Sequence, residues 1–204
     1  MSLLSGTVSI TRYMVHGKIN PPIIDAVTDG LKKYTISEID NHESDKAVGW
    51  TSFDKPFQPD FGGSSFVYGS HFVFSLRIDK KNIAPKVLKK HYTMEAAKRM
   101  AESGRDYLSK TEKKLVKDHV VNVLSLRIPA TPNIYDTVWN YEESRLWFFS
   151  NLKAANEELE SLFSKSFNLS LIRLFPYTAA DLSSDLSDSQ RDELHRLSPT
   201  QLTK

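Results

Sequence analysis

The sequence predicts an α+β fold, with antiparallel/mixed sheets, a pair of basic helices and a flanking amphipathic helix. Three observations lead there. Several segments alternate apolar with polar or small residues, as half-buried strands do, while others repeat apolar residues every three or four positions, as helices do. Prolines and glycines fall between these segments and mark their ends. Basic charge is gathered into one stretch with helical spacing. Residues 77–117 hold 13 Lys and Arg against 5 Asp and Glu, a balance of +8, within a chain of net charge only +2.

The elements follow in order. Residues 5–15 (SGTVSITRYMV) alternate as a strand. A helix follows the paired Pro21 and Pro22, with Ile23, Ile24, Val27 and Leu31 on one face and Gly30 weakening its pattern. AVGWTSF reads as a short strand, DKPFQPDFGGSS as a loop, and FVYGSHFVFSLRI as one long or bulged strand ending near Asp79. One helix opens at Pro85 and closes at Gly104; the next begins at Ser109, whose spacing to Glu112 fits a capping box. NIYDTVWN and RLWFFS form a hairpin around YEES. The amphipathic helix NLKAANEELESLFSKSF turns Leu152, Ala155, Leu159, Leu162 and Phe163 inward, and LSLIRLF is the last strand. The domain expected is 1–177, as two lobes of about 1–80 and 81–177. Residues 178–204 form a polar tail with a helical turn or two around SDSQRDELHRL.

The chain has 204 residues and 40% hydrophobic content, enough for a core. With no cysteine, disulfides, thiol nucleophiles and thiolate zinc sites are excluded. No apolar run approaches the roughly 20 residues of a membrane span, and the N-terminus lacks the order of a signal peptide, so a cytoplasmic protein without membrane association is expected.

Lys110, Lys113, Lys114 and Lys117 are spaced i, i+3, i+4, i+7 and fall within about 100° of one another on a helix. Leu115, Val116, His119, Val123 and Leu126 gather at about 140–240° from Lys110, so the helix is expected to pack by that side. His119 reads as a packed histidine. Lys86, Lys89, Lys90, Lys98 and Arg99 add to the charge from the preceding helix. A solvated face is the ordinary reading of such a row. Mutual repulsion with few interleaved acids favours a polyanionic partner, and a DNA phosphate backbone relieves the repulsion by counterion release.

The order of SLRIDKKNIAPKVLKKH, YLSKTEKKLVKDHVVNVLSLR, TVWNYEESRLWFFSNLKAANEELESLFSKSF and LIRLFPY, with VGW at Val48–Trp50, resembles the RdgC family of bacterial recombination-associated proteins over about residues 5–178. The resemblance implies a non-enzymatic protein of the nucleoid that binds double-stranded DNA with little sequence preference and restrains a RecA-type recombinase. It implies a DNA-binding role for Lys110, Lys113, Lys114, Lys117 and Arg127. It also implies a ring-shaped dimer around DNA. Two departures bear on the ring: Pro129 stands where the family has an aromatic that joins subunits, and the family's chains are usually longer. A shortened relative, monomeric or an open homodimer, is therefore expected.

Two other classes stay open. A metal-dependent exonuclease needs converging carboxylates; Pro59–Asp60 and Glu112–Lys114 resemble such a core, but on a helix positions 112 and 114 diverge by about 200°. A protein-interaction scaffold could use the acidic remainder of the chain. No nucleotide-binding glycine motif or paired-histidine motif occurs, so no catalytic residue, metal site or cofactor is expected. The hairpin aromatics Tyr135, Trp139, Trp147, Phe148 and Phe149 read mostly as core, which favours charge-based duplex binding over base stacking.

Overall fold

A computed structural model describes residues 3–182 and 186–198. The fold is α+β and is built on one seven-stranded antiparallel sheet. In chain order the elements are β1 (Thr11–His16), α1 (Ile23–Lys33), β2 (Lys46–Thr51), β3 (Val67–Tyr68), β4 (His71–Lys80), α2 (Pro85–Ser103) and α3 (Lys110–Ser125). Then come β5 (Thr131–Asn140), β6 (Arg145–Phe148), α4 (Lys153–Phe167), β7 (Ser170–Arg173), α5 (Pro176–Asp181) and α6 (Asp188–Arg196). The sheet order is β2-β4-β5-β6-β1-β7, with β3 beside the start of β4. Strands from both sides of residue 80 interleave, so the sheet does not follow a division into lobes there. Among the described residues, parallel pairing is confined to an isolated bridge between Thr35 and Trp50.

The β4–β5 ribbon is the spine. Its ten-residue register runs from His71 opposite Asn140 to Lys80 opposite Thr131. Alternation assigns Phe72, Phe74, Leu76 and Ile78 to an inner face covered by α1 and α4. Trp50, Phe74, Trp139, Phe163 and Phe167 stack and tilt against one another there, with ring centroids 4.8–6.4 Å apart. Gly30 lets α1 approach α4, since a Cβ at that position would lie 2.7 Å from the Phe167 ring. Trp50 donates its indole N–H to Ser166 Oγ at 2.7 Å, tying β2 to α4.

Three boundaries differ from the sequence reading. The first strand begins at Thr11, not near residue 5. Its partners are four-residue strands, β6 opposite Thr11–Met14 and β7 opposite Tyr13–His16, so the ladder starts at Thr11. The segment read as one strand from Phe66 to Ile78 is a tight hairpin and a long strand. Gly69, at φ +62°, turns the chain between Tyr68 and His71. Leu152 caps α4 and is exposed, because the inward face begins at Ala155. In the tail, α6 is a capped helix whose Arg191 donates to the Asp181 carbonyl of α5. Tail positions 183–185 and 199–204 lie outside the described residues.

Candidate nucleic-acid interface

The two basic helices leave the sheet at the end of β4 and return at the start of β5. Their hydrophobic cluster is their own: Ala96, Leu108, Val116, Val120 and Leu124, with Ile83, Leu88, Tyr92, Met100 and Ile128 half-buried around it. The link Gly104–Ser109 makes them an antiparallel hairpin, and 19 residues of α2 extend it about 28 Å.

Both helices are punctuated locally. Pro85 begins α2, and Gly104, at φ +60°, ends it with its N–H directed to the Ala101 and Met100 carbonyls. The capping box on α3 is formed: Ser109 Oγ accepts from the Glu112 N–H, and Glu112 Oε2 accepts from the Ser109 N–H at 2.8 Å. Arg105 donates to Glu112 Oε1 at 2.5 Å. The Arg105 hydrogen bond first, then those from Ser109, lower the Glu112 pKa to about 2.

The base of the hairpin is clamped by Lys81. Its buried ammonium donates to three carbonyls, those of Asp40 at 3.0 Å, His42 at 2.7 Å and Ser125 at 2.6 Å. The last lies at the C-terminal end of α3, where a cation is favourable. Asp40 Oδ1 also accepts from the Ala130 N–H at 2.7 Å. The sequence reading counted Lys81 only as charge; its spacing beyond a strand end carried no sign of the carbonyls that gather around it.

Lys110, Lys113, Lys114 and Lys117 are all exposed, and none makes an ion pair among the described residues. Lys86, Lys89, Lys90 and Arg127 are likewise exposed and without ion pairs there; antiparallel packing sets them toward the base of the hairpin. Lys98 pairs with Glu102 at 3.9 Å, and Arg99 with Glu95 at 3.2 Å, so these two are partly neutralised. The net surface is a cationic hairpin with its densest row on the first two turns of α3.

The packed side of α3 is not the one expected. Val116, Val120 and Leu124 are buried, while Leu115, Leu126 and His119 are exposed. That seam lies at about 240–320° from Lys110, beside Lys117 and overlapping the direction of Lys113 at about 300°, and not opposite the row. The reason is that α3 packs on α2 and not on the sheet, so a narrow i, i+4 ridge suffices. His119 lines an open cleft of about 390 Å³ together with His91, Met94, Glu95, Lys98, Val120, Val123 and Leu124.

The carboxylates resembling a nuclease core are held by other groups. Asp60 Oδ1 accepts from the Gly62 N–H at 2.8 Å, and Glu112 belongs to the cap. Asp79, near the end of β4, and Lys81, just beyond it, have the two-residue spacing that brings strand side chains to one face. Asp79 is fully buried in a bidentate pair with Arg77, at 2.8 and 2.6 Å, and Lys81 is the clamp. Burial works against the Arg77 charge, but Asp79 and then Glu38 outweigh it and raise its pKa. Among the described residues, no group of three or more His, Asp or Glu side chains is placed to hold a metal ion, and no helix is long and apolar enough to cross a membrane.

No family model matches the chain, and no curated protein matches it.

Proposed function

We propose that this chain is a sequence-independent duplex-DNA-binding protein that modulates recombination, restraining RecA-type strand exchange as the RdgC proteins it resembles do. The observation that carries the reading is the row Lys110, Lys113, Lys114 and Lys117, exposed on a capped helix and free of ion pairs among the described residues. Solvated helix faces usually interleave acids with lysines; this one leaves like charges unrelieved, and a phosphate backbone relieves them. The helices form a self-packed hairpin, so the cationic surface projects from the sheet without drawing on the main core. Supporting positions are Lys86, Lys89, Lys90 and Arg127, with Lys98 and Arg99 contributing less because each faces a glutamate. Contacts of this kind position a protein on DNA without reading its sequence.

The test is a gel-shift series with unrelated duplexes across salt. Neutralising Z phosphates makes log K fall with log salt at a slope near −0.9Z, so four to six contacts give roughly −4 to −5. A flat salt response, or strong preference for one duplex, overturns the proposal. Magnesium-dependent loss of end-labelled DNA in the same reactions would transfer the chain to the enzymes.

A further inference from the structure

The outer face of the sheet carries an aromatic and cationic surface. By register, Tyr68 lies opposite His71 and Val73 opposite Val138; Val138 in turn lies opposite Trp147, and Trp147 opposite Arg12. Strand alternation therefore sets Tyr68, His71, Trp147, Arg12 and Arg145 on one face, away from the core. The Trp147 and His71 rings stack at 5.9 Å and 19°. Tyr68 is 53% exposed, and a cavity of about 410 Å³ lies over it, His71, Trp147 and Phe53, floored by the apolar Leu3, Val73, Val138 and Phe149, with Arg12 and Arg145 outside its lining. Arg12 and Arg145 are exposed and make no ion pair among the described residues. The acid beneath this face, Asp136, is buried and accepts from Ser75 Oγ and the Leu3 N–H.

We infer that this face is a binding site for single-stranded DNA, with bases stacked on Tyr68 and Trp147 and phosphates beside Arg12 and Arg145. Aromatic rings on a sheet give every base a π surface, and flanking arginines track the backbone. The charge complementarity selects the occupant. An aliphatic protein partner needs no unpaired arginine as the register partner of the half-buried Trp147. Paired duplex bases present no free face to stack. The site is separate from the lysine hairpin, which leaves the far end of β4, about 30 Å along the ribbon from His71. It does not depend on duplex binding by that hairpin.

The three tryptophans make the test direct. Trp50 and Trp139 are buried in the core, and Trp147 alone reaches the surface, so quenching by an oligonucleotide reports this face. Titration of the full chain with oligo-dT of about 15 nucleotides should quench tryptophan emission. An abasic oligonucleotide of equal charge should bind about tenfold more weakly or worse. Trp147→Leu and Arg12→Glu should each weaken oligo-dT binding by about tenfold, read by anisotropy, while duplex gel shifts stay unchanged. Reversing Lys113, Lys114 and Lys117 should do the opposite, so the two sites fail separately. Equal binding of the abasic strand, no quenching at saturation, or unchanged oligo-dT affinity in both outer-face variants overturns the inference. So does self-association that Trp147→Leu abolishes, because a second copy would then be the occupant.

Discussion

At the residue scale, two charged side chains decide how the basic hairpin is held, and both can be tested alone. Glu112 closes the α3 cap and takes the Arg105 guanidinium, which lowers its pKa to about 2. Its folded value lies below its unfolded one. Its contribution to the cap is thus complete above about pH 4.5 and is lost as pH falls through about 2. A carboxyl carbon titration by NMR should give a midpoint near 2, moving upward in Arg105→Ala. A midpoint near 4.5 in the parent chain would mean that neither partner holds Glu112. Lys81 works at the other end. Replacing it by methionine keeps the stem but leaves three carbonyls without their donor. Buried groups left unsatisfied cost about 1–3 kcal/mol each, and water can reach some of them, so Lys81→Met should lower stability by about 3 kcal/mol in urea unfolding. A loss below about 0.5 kcal/mol would show that the clamp carries little.

At the element scale, α3 carries both a buried seam and a lysine row, and the exposure of all four lysines makes the row separable from the fold. Reversing Lys113, Lys114 and Lys117 to glutamate should abolish duplex binding while leaving thermal unfolding within a few degrees, because exposed substitutions away from a packed seam cost little. Unchanged affinity in that variant would reduce the row to a solvated face. The helix pattern of this region was legible in the sequence because its signals are local: Pro85, Gly104, and the Ser109–Glu112 box each act within one turn. The hairpin around Tyr141–Ser144 and the inward face of α4 were legible for the same reason. The buried side of α3 was not. Composition alone makes Leu115 and Leu126 as good a stripe as Val116, Val120 and Leu124, and only the choice of α2 as partner selects between them. The outer sheet face was missed likewise. Trp147 and Phe148 are neighbours of similar chemistry on opposite faces, and which is covered depends on where α4 crosses.

At the scale of the whole molecule, the proposed DNA binding raises the question of whether two copies would enclose DNA or only lie along it. The junction that returns from α3 to β5 runs through Leu126, Arg127, Ile128 and Pro129. On the proposed RdgC-like reading, the position of Pro129 is where an aromatic joining subunits is expected; proline offers less apolar area and no stacking. Ile128 packs into the hairpin's own cluster, which leaves exposed Leu126 and Pro129 as the apolar surface at this turn. A stable dimer interface buries about 1,200–2,000 Å² around a few anchoring side chains, most often Trp, Tyr or Arg. Without such an anchor the contact at this junction should be weak, and we predict a monomer or an open dimer with DNA along the hairpin and not through a closed hole. The two arrangements release DNA differently. Raising salt screens the lysine contacts, after which an open surface lets any DNA leave sideways, whereas a closed ring keeps a covalent circle threaded. After a salt jump, linear and covalently closed DNA of equal length should therefore dissociate at equal rates. Introducing Pro129→Phe should strengthen dimerisation in light scattering and begin to separate those rates. Selective retention on the circle by the unaltered chain, together with a stable dimer in scattering, would show that the ring closes through surfaces other than this turn and would overturn the prediction.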